Sequence, residues 1–122
     1  MIWYVAIGSA FGGVARYLVG TWLQRFPTFP WATLAVNLTG SFIIGWFMRY
    51  SMSHPVRPET RALIAIGICG GFTTFSAFTY ESMMLLRDGQ WIRAAGYVAG
   101  SVVLGLAAVF AGFAAGPTTT TT

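Results

Sequence analysis

Four apolar runs, each long enough to cross a bilayer, take up nearly the whole of this sequence. A spanning helix needs about 20 predominantly apolar residues. The runs cover residues 2–23, 31–50, 61–86 and 91–115 of a 122-residue chain. Only 8% of the residues are charged, against about 25% in a soluble domain. A water-soluble globule of this size cannot cover itself with so few charges. The aromatic and aliphatic content excludes disorder. The single cysteine, Cys69, excludes a disulfide framework, and the single histidine, His54, excludes a histidine-rich metal centre. The expected fold class is all-α. It is an integral membrane subunit of four helices in one domain over residues 1–116, followed by a disordered tail over 117–122.

The connections are short and hold the helix breakers, as in Arg25-Phe26-Pro27-Thr28-Phe29-Pro30 and Arg87-Asp88-Gly89-Gln90. Trp3, Trp22, Trp31, Trp46, Tyr50 and Trp91 fall near the predicted span ends, where interfacial aromatics anchor helices in lipid. No basic stretch precedes the first run, so it reads as a span rather than a cleaved leader. All the basic residues are arginines, and they are scattered, which argues against a nucleic-acid surface. With four spans, both termini and the second loop share one side, with Arg49, Arg57 and Arg61. The other side has Arg25, Arg87 and Arg93. Orientation follows an excess of arginine and lysine on one side, and here the two sides balance. Insertion in both orientations, and head-to-tail pairing of the two, is therefore expected. Small-residue spacings such as Gly8-x-x-x-Gly12, Gly67-x-x-x-Gly71 and Gly96-x-x-x-Gly100 offer close helix packing, within a subunit or between subunits.

Polar residues inside the runs are costly and therefore informative. Arg16 lies about two thirds of the way along the first run. It either snorkels to the headgroups or faces a water-filled vestibule that attracts anions. No acidic residue lies in the first two runs, which points to an anion rather than a cation as cargo. Asn37 sits among Ala35, Val36 and Leu38. Its amide must face protein or water, as an interhelical hydrogen bond or as a donor at a pore mouth.

The third run is the most abnormal, reading Gly70-Gly71-Phe72-Thr73-Thr74-Phe75-Ser76-Ala77-Phe78-Thr79-Tyr80-Glu81. Two glycines followed by two β-branched threonines disfavour a continuous helix. The spacing predicts a helix broken near mid-membrane, the alternative being a glycine kink. Carbonyls freed by a break are oxygen ligands for a small cation. Beyond it, Phe75 and Phe78 share a helical face, and their ring edges are partially positive. Hydroxyls at Thr73, Thr74, Ser76 and Thr79 can donate nearby, and Tyr97 and Ser101 share a face of the fourth run. Weak donors beside aromatic edges suit an anion that must be desolvated, bound and released.

Three stretches together resemble the Fluc (CrcB) family of small fluoride channels. They are Gly12-Gly13-Val14-Ala15-Arg16-Tyr17, Thr33-Leu34-Ala35-Val36-Asn37-Leu38-Thr39-Gly40, and Gly70 through Phe78, the last being the most diagnostic. The resemblance implies an antiparallel, dual-topology homodimer in the bacterial inner membrane, with two pores for passive fluoride export. It implies that Phe75, Phe78 and Asn37 line the pore with Thr74 and Ser76, and that Tyr97, Ser101 and Thr33 form a polar track. Arg16 would stand in the vestibule. Gly70 and Thr73 would hold a structural Na⁺ at the dimer interface through their carbonyls. Ala32, Ala77 and Gly105 depart from the family pattern.

Fluoride ion, membrane lipid and a second copy of the chain are thus the expected partners, with no nucleic acid. An enzyme is not expected, because the sequence offers no nucleophile–base pair or metal cluster. A small proton-coupled multidrug or cation exporter is the alternative. Glu81 is its one candidate carboxylate within the spans, and it otherwise anchors a helix end.

Overall fold

The structure is a computed structural model, and it describes residues 1–23 and 29–117. Arg25, most of the first loop and the threonines of the tail lie outside the described residues. The chain forms α1 (Ile2–Leu23), α2 (Trp31–Ser53), α3 (Pro58–Arg61), a π-helical segment (Ala62–Cys69), α4 (Gly70–Phe72), α5 (Phe75–Arg87) and α6 (Trp91–Ala115). The middle elements form one long third span, Pro58–Arg87. Among the described residues four spans are long and apolar enough to cross a membrane, and the chain is a multi-pass membrane protein. α2 continues to Ser53, three residues past the expected end at Tyr50.

The third span breaks where the threonines stand. Thr73 and Thr74 are both extended, with φ/ψ of −88°/156° and −148°/115°. The chain re-enters helix at Phe75, with Thr74 as N-cap. α5 ends at a left-handed glycine, Gly89 with φ 76°. Gln90 N–H donates to the Leu85 carbonyl at 2.9 Å and Gly89 N–H to the Leu86 carbonyl at 3.1 Å. This pair of bonds closes the helix end as a Schellman motif and turns the chain into α6.

Glycines set how the spans pack. A Cβ on Gly8 would fall on the Leu63 carbonyl oxygen, and one on Gly12 on that of Ile68. α1 therefore lies backbone to backbone against the first half of the third span. α2 and α6 meet in the same way, Gly45 against the Val109 carbonyl and Gly112 against the Phe42 carbonyl. The two helix pairs join at the break, where Gly40 receives the methyl group of Thr73. Gly96 and Gly100 behave differently. Both face open space within the subunit, so their spacing makes no helix contact in it.

Candidate functional site

The break opens the helical ladder, and the displaced polar groups find partners on other helices. In an unbroken helix the N–H groups of Thr74, Phe75 and Ala77 would reach the carbonyls of Gly70, Gly71 and Thr73. Instead Thr74 N–H donates to Asn37 Oδ1 at 2.8 Å, and Asn37 Nδ2 donates back to the Thr74 carbonyl at 3.1 Å. Arg16 Nε donates to the Gly71 carbonyl at 3.2 Å. Ala77 N–H donates to Thr74 Oγ1 at 3.1 Å, and Thr73 Oγ1 donates to the Cys69 carbonyl at 2.9 Å. Of the two uses open to Asn37 in the sequence, the interhelical bond is the one formed. Arg16 stays at the level of the break rather than reaching for a span end.

The carbonyls of Gly70 and Thr73 thereby lose their helical donors. Freed carbonyl oxygens are the hard ligands that a sodium ion prefers, so these residues fit the ion expected there. Among the described residues no group of three or more His, Cys, Asp or Glu could hold a metal.

A cavity of about 650 Å³ runs from the break toward the far end of α5. Arg16, Thr33, Thr74, Glu81 and Asp88 supply polar groups along its wall. Within it, Thr33 Oγ1 donates to Glu81 Oε1 at 2.6 Å and the Tyr97 hydroxyl donates to Glu81 Oε2 at 2.9 Å. One carboxylate thus joins α2, α5 and α6. The sequence suggests for Glu81 either an exporter's carboxylate or the anchor of a helix end, and this link between three helices is not among those readings. A signal was present, because Glu81 follows Phe78 by three residues and so shares its face.

Phe75 and Phe78 lie with ring centroids 5.8 Å apart, and Phe78 lies 5.1 Å from Tyr97. Tyr97 meets Phe29 edge-on at 5.3 Å, and Phe29 meets Trp31 at 4.6 Å. The rings form a continuous string from the break to the start of α2. Its middle and its ends differ in environment. Tyr97, at the middle, is 1% exposed, whereas Phe75, at one end, is 76% exposed and points out of the subunit. Ser101, one turn beyond Tyr97, holds the one buried side-chain oxygen without a partner among the described residues. Ser76 is exposed, with its hydroxyl 3.4 Å from that of Thr74. The structure therefore gathers Thr33, Phe78, Tyr97 and Glu81 into one cluster and Arg16, Asn37 and Thr74 around the break. Phe75 touches the first group through Phe78 and Ser76 the second through Thr74, both at the exposed edge, while the Ser101 hydroxyl bonds to neither.

The sequence model of the family described as CrcB-like protein, Camphor Resistance (CrcB), matches residues 3–113. A protein of Rhizobium meliloti (strain 1021) named fluoride-specific ion channel FluC is 49% identical over 113 residues, covering 90% of each chain. A protein of the same name from Thermus thermophilus is 44% identical over 114 residues, covering 92% of this chain and 90% of its own. Another so named, from Rhizobium etli, is 47% identical over 113 residues, covering 90% of each chain. With the match running through the broken span and all four helices, the chain belongs to the CrcB family.

Proposed function

We propose that this protein is a fluoride-selective channel that lets fluoride leave the cell passively. The carrying observation is the broken third span with Phe75 and Phe78 on its second half, in a chain whose relatives bear the name of fluoride-specific ion channels. Transport of this kind needs no catalysis. Fluoride enters cells as neutral HF at acid pH and dissociates inside, and a selective exit limits its accumulation. We place the protein in the bacterial inner membrane as an antiparallel homodimer with two pores. The exposure of Phe75 supports this reading, because an aromatic edge facing out of one subunit can complete a path shared with a second.

On this reading an anion leaves water in the Arg16 cavity, where the guanidinium offsets part of its desolvation. It then meets groups that bind weakly enough to release it, the ring edges of Phe75 and Phe78. Thr33 and Tyr97 enter differently from the expected ladder of free donors. Their hydroxyl protons already point at Glu81, so a passing anion draws them away from a competing carboxylate. The unpartnered hydroxyl of Ser101 is free to donate at once. Gly70 and Thr73 would hold a sodium ion through their carbonyl oxygens, and when bound it would supply positive charge beside the break.

The exporter alternative finds no support. Its proton-carrying role would fall to Glu81, and both oxygens of that carboxylate are held by hydroxyls from neighbouring helices.

The test is ion efflux from liposomes containing the purified protein, with fluoride and chloride measured separately. Rapid fluoride loss with chloride retained is expected. Phe75→Ile and Phe78→Ile should each cut the fluoride rate by at least tenfold, a barrier increase of about 1.4 kcal/mol, while the protein remains folded. Undiminished flux in both variants would remove the aromatic-edge mechanism.

A further inference from the structure

The cavity changes chemistry along its length. Thr74 and Asp88 both line it, and roughly 20 Å of α5 lies between them. At the inner end, Arg16 is bonded to the Gly71 carbonyl and Glu81 accepts two hydroxyl protons. Phe29, Trp31, Met84, Leu85 and Asp88 also line the cavity, with Phe29 set edge-on against the Tyr97 ring and Asp88 about two turns beyond Glu81. The Phe29 and Trp31 rings, 4.6 Å apart and tilted by 47°, form a two-sided aromatic corner. Asp88 is exposed and makes no side-chain hydrogen bond or ion pair among the described residues. Its neighbour Arg87 does not line the cavity.

Ring faces are negative and a carboxylate is negative, so this wall does nothing to attract an anion. It is the chemistry that recognises an alkylammonium. A cavity of about 650 Å³ is also far larger than a bare ion needs and falls within the usual range for organic ligands.

We propose that the outer half of the cavity is a binding site for a monovalent organic cation with an apolar or aromatic body, held by Asp88 and the Phe29–Trp31 corner. The proposal deepens the reading of this cavity as the approach to a fluoride pore, although binding at its mouth can be measured without any flux.

Equilibrium dialysis of benzyltrimethylammonium against the full-length protein in detergent tests it, with the uncharged isostere neopentylbenzene as control. Saturable binding is expected, with the isostere failing to displace the cation. Asp88→Asn should weaken binding about tenfold and Trp31→Ala about fivefold. Phe110→Ala, on an exposed ring of α6 outside the cavity, should leave it unchanged. Absence of saturable binding, displacement by the isostere, or unaltered affinity in Asp88→Asn would each overturn the site. Binding that behaves as expected in a protein that passes no fluoride would uphold this site and remove the channel reading instead.

Discussion

An amide side chain can donate to a carbonyl and accept from an N–H at the same time, and Asn37 does both at Thr74. Leucine has nearly the same shape and can do neither. Asn37→Leu would leave two backbone groups of the break unpaired, at about 1–3 kcal/mol each. A lowered midpoint of thermal unfolding in detergent and loss of fluoride efflux are expected, and a variant with wild-type stability would show that the bracket is dispensable. The sequence made clear that Asn37 needed a partner. It could not name Thr74, because the contact spans two helices and depends on how they register. Glu81 shows the same limit. Its partners Thr33 and Tyr97 come from two other helices, and only packing brings the three together.

Among the elements, the break was legible because its cause is local: β-branched residues after paired glycines resist helix. The π-helical stretch from Ala62 to Cys69 was not legible. Its aliphatic residues carry no local signal for a wider turn, and its backbone lies directly against Gly8 and Gly12 of α1. Glycine spacing was a mixed guide for the same reason. The pattern permits close approach, but the neighbouring helix decides which glycines are approached. Gly112→Ala should push α6 off the Phe42 carbonyl and cost about 1–3 kcal/mol. Gly100→Ala, in open space on the same helix, should be neutral or stabilising by up to about 1 kcal/mol. Unfolding midpoints of the two variants, compared in one detergent, check the order.

For the molecule as a whole, four spans and their order follow from hydropathy alone. What one chain cannot supply is the environment of its exposed apolar faces, such as Phe11 and Leu18 on α1 or Val103 and Phe110 on α6. The balance of arginines leads us to propose two orientations in one membrane. A tag on the C-terminus should then be accessible from both sides of the bilayer, and a one-sided result would contradict the balance argument.

The bracket at the break also bears on the order of assembly. Arg16 and Asn37, which fasten the Gly71 and Thr74 backbone, both precede it in the chain. A ribosome therefore delivers the fasteners before the segment they hold. The third span can settle into its interrupted form while α6 is still being made, and the last helix then packs along α2 and brings Tyr97 to Glu81 to close the subunit.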